Sequence, residues 1–269
     1  MTIKELRNEL LESGAVDNAD IDWILCEVFH IKRSEVSLPR NVSEVEKEKV
    51  YKIFNERMLG RPLAYILGYT EFYGRKINVR EGCLIPRCET EELVEFVLKN
   101  IPFGKGLEIG IGSGAISLSI ALENQNIKMT AVDISDDAIA ISMENIKNNN
   151  ADVEVIKSNL FESLIGRKFD FIVSNPPYIK SEEINTLDRE VKDFEPRIAL
   201  DGGEDGLDFY REIIRQAPSF LNKGGKIFFE VGIGEADSVS ALLKENFVGI
   251  NKKQDLEGID RIVYGTFLG

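Results

Sequence analysis

The stretch KGLEIGIGSGAISLSIALENQNIKMTAVD, residues 105–133, decides the fold. Its apolar run Gly106–Ile109 reads as a short strand. A glycine turn follows, Gly110-Ile111-Gly112-Ser113-Gly114, then helical spacing over Ala115–Asn124. A second strand, Lys128–Val132, ends at Asp133. Glycine lets the backbone turn sharply and come close to a ligand. Asp133 stands 19 residues after Gly114, where a carboxylate can accept hydrogen bonds from both hydroxyls of a ribose. Turn and carboxylate together read as a nucleoside-cofactor site at the carboxyl ends of the strands. The spacing does not name the cofactor: a dinucleotide fingerprint is G-x-G-x-x-G, and here the third glycine comes one residue early. Without a ligand, the same residues are a tight turn between strand and helix.

The alternation continues outward. A helix over Glu89–Asn100 precedes the stretch. After it come a helix over Asp136–Asn148 and strands over Val153–Lys157 and Phe169–Ser174. Further on, Asp208–Leu221 reads as helix, Lys226–Val231 as strand, Glu235–Asn246 as helix and Arg261–Phe267 as strand. Strands alternating with helices imply an α/β fold, an open and largely parallel sheet covered on both faces.

Asn175-Pro176-Pro177-Tyr178 follows directly on the strand Phe169–Ser174. The two prolines restrict Asn175 and Pro176 to extended backbone and delete two N–H donors. What remains is a rigid edge of acceptors: the Asn175 side-chain oxygen and the Pro176 carbonyl. Such an edge can hold an –NH2 group by both hydrogens, while Tyr178 offers a flat face to a planar substrate. An amide nitrogen is a poor nucleophile because its lone pair is delocalised into the carbonyl. Holding both hydrogens out of plane favours pyramidalisation and aims the lone pair at an electrophile, which is catalysis by orientation and electrostatics. No strong base is needed beforehand, because an N-alkylated amide cation sheds its proton readily. The bland alternative is a proline-stiffened loop.

Residues 1–64 read as a small helical domain. Ile3, Leu6, Leu10 and Leu11 fall at helical spacing, as do Ile21, Ile24, Leu25, Val28 and Phe29 behind a cap at Asp17 or Asn18. Ser43-Glu44-Val45-Glu46 fits a capping box for a third helix that runs to about Leu59, before Gly60 and Pro62. Residues 65–88 then form a linker with a hairpin about Gly74, and 89–269 the catalytic domain. The one histidine, His30, removes Ser-His-Asp, Cys-His and multi-histidine zinc chemistry and is read as structural. Cys26, Cys83 and Cys88 have no metal-ligand spacing and read as free thiols of a reducing compartment. No metal is expected. No secretory h-region and no run of 18 apolar residues is visible, so a cytoplasmic protein without a membrane span is expected.

Asn-Pro-Pro-Tyr after the fourth strand resembles the signature of class I methyltransferases acting on planar nitrogens. Three further blocks make the resemblance specific. Arg61-Pro62-Leu63-Ala64-Tyr65-Ile66-Leu67-Gly68, Leu84-Ile85-Pro86-Arg87-Cys88-Glu89-Thr90-Glu91 and Pro196–Leu207 all resemble segments of the release-factor glutamine methyltransferase family. The match covers about residues 60–267, with Glu108, Ile111 and Cys88 standing where the family usually has Asp, Thr and Pro. The resemblance implies a Rossmann-like class I methyltransferase sheet and S-adenosylmethionine as methyl donor, with S-adenosylhomocysteine as product. It implies the Gly-Gly-Gln glutamine of class I release factors as acceptor. The turn Gly110, Ile111, Gly112, Ser113 and Gly114 would hold the cofactor's methionine part, Asp133 its ribose, and Asn159 and Leu160, beside Ser158, its adenine. Asn175 and Pro176 would hold the glutamine amide and Tyr178 would pack on it. Asn175, Pro176 and Tyr178 are thus the catalytic set. Asn175 also faces the cofactor, and Pro177 completes the substrate edge. Arg87 and Glu89 read either as a substrate-side pair or as a surface ion pair, and a role in closing the cofactor site is preferred.

Charge weighs the competing readings, which are a protein-glutamine methyltransferase, an adenine-N6 methyltransferase of DNA or RNA, and a noncatalytic cofactor-fold module. The chain has 33 Lys+Arg and 46 Asp+Glu, net −13. Residues 1–80 carry 13 of each sign, leaving 20 and 33 to residues 81–269. Ser181–Asp208 alone holds ten acidic and three basic residues. Net −7 beside the target site repels phosphates and suits a basic protein loop. A protein partner, no nucleic-acid substrate and a monomer are expected.

Overall fold

The computed structural model describes residues 1–269 and divides into two compact units, Met1–Gly68 with Arg189–Phe194, and Tyr69–Asp188 with Glu195–Gly269. Elements are numbered in chain order.

In the first unit, α1 (Ile3–Glu12), α2 (Asn18–Phe29), α3 (Glu44–Met58) and α4 (Leu63–Leu67) are helices. Their ends are set by local chemistry. Thr2 with Glu5 and Ser43 with Glu46 form capping boxes, and Asp17 accepts from the Ala19 N–H. His30 closes α2 in the left-handed region, with φ 52°. Its role is therefore structural. Ile3, Leu6, Leu10, Ile21, Ile24, Leu25, Phe29, Val50 and Phe54 form one core. Asp22, buried at its edge, accepts from Arg7 at 2.6 Å and Arg33 at 3.4 Å. The hexapeptide Arg189–Phe194, which lies inside the stretch 89–269 in sequence, belongs to this unit. It contains α8 (Arg189–Lys192). Arg57 on α3 holds it, donating to Asp20 at 2.5 Å and to Glu190 at 2.7 Å.

The second unit carries the hairpin β1 (Tyr69–Phe72) and β2 (Arg75–Asn78), and then the main sheet. Its strands are β3 (Gly104–Ile109), β4 (Ile127–Asp133), β5 (Val153–Lys157), β6 (Phe169–Ser174), β7 (Leu221–Glu230), β8 (Phe247–Gln254) and β9 (Asp260–Phe267). Their order is β5-β4-β3-β6-β7-β9-β8. The pairs from β5 to β7 are parallel, and β9 is antiparallel to both β7 and β8. Helices α5 (Glu89–Asn100), α6 (Ala115–Glu123), α7 (Asp136–Asn148), α9 (Asp208–Gln216) and α10 (Ala236–Leu243) connect them. The buried carboxyl-terminal parts of β3, β4, β6 and β7, such as Ile227–Phe229 of β7, are covered on both faces of the sheet. The α/β class expected from the sequence is the class observed.

The short helices α4 and α8 of the first unit are not anticipated, and in the second unit two elements differ from the sequence reading. The helix expected over Asp208–Leu221 stops at Gln216. A 3-10 turn with Pro218 follows, and Leu221 already belongs to β7. The strand β8 is not anticipated: Phe247–Gln254 is largely exposed and polar, as suits the last strand of a sheet, where Lys252 and Lys253 discourage further pairing.

Inside the sheet, Glu108 is buried and accepts from the backbone N–H and hydroxyl of Ser117, in the first turn of α6. Burial pushes its carboxyl up to about 8, against the two Ser117 bonds that favour the anion. A carboxyl raised on folding contributes stability in full below its unfolded value and loses it as pH rises through the folded one. Glu108→Gln mimics the neutral acid. Its melting temperature relative to the parent is therefore expected to improve from pH 5 up to about pH 8 and to level off above that. A difference that stays constant with pH contradicts this.

Candidate active site

Strand β3 lies between β4 and β6, so the chain runs away from it in opposite directions on its two sides. A crevice opens at the carboxyl ends of the strands at such a point. Here it is a cavity of about 240 Å³ walled by Gly110, Gly112, Asp133, Asn159, Leu160, Asn175, Pro176 and Pro177, with Cys83, Leu84, Pro196 and Ile198 opposite in sequence.

The glycine turn is fastened to β4. The N–H groups of Gly110 and Ile111 both donate to the Val132 carbonyl at 2.9 Å. Asp133 accepts from Gly112 N–H at 3.0 Å through one oxygen and from Ser135 N–H at 2.9 Å through the other. Gly110 and Gly112 have φ of 78° and 52°, and nothing lies within 4 Å of where a Cβ would stand. The missing side chains leave a cradle beside a carboxylate already oriented by backbone donors, a fit for a ribose-bearing cofactor. Ile111 and Ser113 are buried in the protein, and Gly114 begins α6 against Ser142; none of the three is on the cavity wall. Ser113 is instead tied by its carbonyl to Asn145 Nδ2 at 2.9 Å, and the same amide group bonds Asn78 of the hairpin. Leu160 sits on the wall with φ 49°, a strained conformation for a leucine.

Asn175 stands at the end of β6. Its Nδ2 donates to Glu230 Oε1 at 2.9 Å and to Thr90 Oγ1 at 3.2 Å, which leaves Oδ1 to the cavity. Tyr178 lies beside the cavity, not on its wall; it is packed against the main core, and burial pushes its phenol up to about 12. The block Pro196–Leu207 explains itself here. Ile179 and Asp201 form a parallel bridge, and Gly202 N–H donates to the Ile179 carbonyl at 2.8 Å. A Cβ on Gly202 would stand 2.7 Å from Tyr178 Cα, and one on Gly206 2.5 Å from the Tyr178 carbonyl oxygen. Glycines are required because the loop lies directly on the Tyr178 backbone.

Arg87 pairs with Glu195 at 2.6 Å, not with Glu89, and Glu195 is buried. The bond joins the segment of Leu84 to that of Pro196, both on the cavity wall. Glu89 takes the thiol of Cys88, whose pKa this bond raises; that is the opposite of an activated nucleophile. Burial pushes Cys83 up to about 12, which likewise leaves it an inert wall residue. Glu230, Thr90, Glu195 and Asn145 were not singled out as site residues from sequence.

The acidic stretch is also less bare than its composition. Glu183, Glu190, Asp193, Glu195, Asp201, Asp205 and Asp208 pair respectively with Lys180, Arg57, Arg189, Arg87, Arg197 and, for the last two, Arg211. Three acidic residues of the ten, Glu182, Asp188 and Glu204, have no ion-pair partner.

Sheet order, glycine turn and strand-end acid define a class I methyltransferase. Solved structures share the fold: a methyltransferase from Pyrococcus furiosus (TM-score 0.56, 21% identity, 72% of this chain and 89% of that one) and the hMettl16 catalytic domain (TM-score 0.59, 17% identity, 77% and 82%). Residues 89–192 match the methyltransferase small domain and residues 2–68 the PrmC N-terminal domain. Release factor glutamine methyltransferases of Bacillus cereus and Geobacter sulfurreducens are 38% and 39% identical over 95% and 96% of this chain and 94% and 93% of theirs. The chain belongs to the release factor glutamine methyltransferase family. No helix is long and apolar enough to cross a membrane.

Gly206→Ala tests the loop on Tyr178. With φ 81° and no room for a Cβ, the substitution is expected to cost about 1–3 kcal/mol and to lower turnover. Parental melting and turnover would remove the bracing role.

Proposed function

We propose that the protein transfers a methyl group from S-adenosylmethionine to the side-chain amide nitrogen of the Gly-Gly-Gln glutamine in class I release factors. The observation that carries this reading is the Asn175 amide: its NH2 is tied back to Glu230 and Thr90, and its oxygen is left to the cavity beside two prolines. S-adenosylmethionine supplies, when bound, a methyl group made electrophilic by the adjacent sulfonium. Gly110 and Gly112 give backbone room and Asp133 accepts from ribose hydroxyls, while Asn159 and Leu160 flank the base. Asn175 Oδ1 and the Pro176 carbonyl accept the two hydrogens of the target amide and turn its lone pair outward; Tyr178, expected to pack on that amide, is instead packed against the main core and off the cavity wall. The proton leaves the methylated nitrogen without a dedicated strong base, because the N-alkylated amide cation is acidic.

The same reading assigns the helical residues 1–64 to gripping the release factor and residues 89–269 to catalysis, in a cytoplasmic monomer. Its support against a nucleic-acid substrate is the acidic surface, with Glu182 and Glu204 unpaired beside the Asp205–Arg211–Asp208 cluster. Neutralisation by Arg211, Arg87 and Arg57 makes that preference milder than the net −7 of Ser181–Asp208 suggests.

Labelled S-adenosylmethionine, offered with a release factor, its Gly-Gly-Gln Gln→Ala variant, and adenine-containing DNA or RNA, separates the readings. Label is expected on the release factor only. Label on nucleic acid instead would establish the adenine-N6 alternative. Asn175→Ala is expected to keep cofactor binding and to lose about 10²–10³-fold in turnover, as for other preorganised polar groups at a reacting centre. Near-parental turnover would refute the amide-holding role.

A further inference from the structure

An asparagine amide can sit in its pocket in two ways that differ only by exchange of Oδ1 and Nδ2. Only one of them is useful here. With Oδ1 toward the cavity it accepts from a target –NH2; with Nδ2 there, donor would face donor. Asn175 itself has no covalent preference between the two.

The surroundings supply the choice. Glu230, the last residue of β7, lies 55 positions from Asn175 in sequence and places Oε1 at 2.9 Å from its Nδ2. Burial pushes the Glu230 carboxyl up to about 7, and in its ionised form it offers acceptors only. In the exchanged orientation its oxygen would therefore oppose Asn175 Oδ1 inside the protein, where an unpaired polar contact is costly. Thr90, in the first turn of α5, is buried and takes the second Nδ2 hydrogen at 3.2 Å. Glu230 is itself anchored: its carbonyl accepts from the Tyr210 hydroxyl at 2.8 Å, and Tyr210 is fully buried. The charged groups near the Glu230 carboxyl are Arg261 on β9, which favours the anion, and Glu89 on α5, which opposes it. Its second oxygen, Oε2, is buried without a hydrogen-bond partner.

We propose that Glu230, assisted by Thr90, is the positioning residue that fixes the Asn175 amide with its acceptor toward the target –NH2. This rests on the amide-transfer reading above and adds to it the origin of the acceptor's orientation. Glu230 is not on the cavity wall, whereas Asn175 is, so its action on the site runs through Asn175. Replacing it by an amide removes the discrimination, since Gln can meet either end of Asn175 equally well.

The test compares Glu230→Gln, Thr90→Val and Thr90→Ser with the parent, using the acceptor that the parent methylates in the labelling assay. Failure of the release factor as acceptor thus overturns the substrate reading alone. Glu230→Gln is expected to lower kcat at least tenfold while binding S-adenosylhomocysteine within twofold of the parent. Thr90→Val lowers kcat as well, and Thr90→Ser restores it. In the Asn175→Ala background, Glu230→Gln is expected to cost nothing further. The proposal falls if Glu230→Gln keeps kcat within twofold. It falls equally if Glu230→Gln costs the same factor with and without Asn175, because Glu230 would then act independently. Should Glu230→Gln fail to fold, an unchanged kcat in Thr90→Val overturns the proposal, and a loss rescued by serine sustains it.

Discussion

The pairing of β3 with β4 on one side and β6 on the other is the constraint from which the site descends. Both flanking strands run parallel to β3, so their carboxyl ends emerge together. The chain must leave each end to reach the next crossover. That register, in which Ile109 opposes both Val132 and Ser174, brings the Gly110 and Ile111 N–H groups onto the Val132 carbonyl and the Gly112 N–H onto Asp133. Ser174 seals the other side by donating from Oγ to the Ile109 carbonyl at 2.7 Å. Asn175 follows immediately, so the distance between the glycine turn and the proposed acceptor edge is a property of the sheet. Loop adjustment has little part in it.

What was legible in the sequence is local in origin. The glycine turn, Asp133 and Asn175–Tyr178 announce themselves because adjacent residues impose backbone geometry or remove donors. The capping box at Ser43 is equally local, and the N-terminal helices follow from apolar spacing. Strand β8 escaped because an exposed end strand has neither continuous apolar character nor clean alternation. The end of α9 was misplaced because apolar residues continue through Pro218 into β7 without a change of composition.

The rest of the site could not be read because its meaning lies in partners distant along the chain. Glu230 ends an apolar strand and carries no motif of its own; only the fold sets it against Asn175. Arg87 looked like a partner for Glu89, two residues away, yet the buried Glu195, 108 positions away, holds it. The acidic stretch posed the same difficulty in reverse. Composition counts charges one by one, whereas Arg57, Arg87 and Arg211 lie outside the stretch and neutralise part of it. Asn145, a polar residue at a buried helical position, joins Asn78 to Ser113 and could be recognised only with both in place.

The first unit is discontinuous: Arg189–Phe194 belongs to it, although more than a hundred residues of another unit intervene. During synthesis the amino-terminal helices leave the ribosome long before that hexapeptide exists. Domains generally fold as they emerge, amino-terminal first. Here Arg57 must wait for Glu190, so the first unit reaches its finished form only after β3 to β6 have been made. The helical unit is begun first and completed late, which couples its maturation to that of the chain bearing the active site.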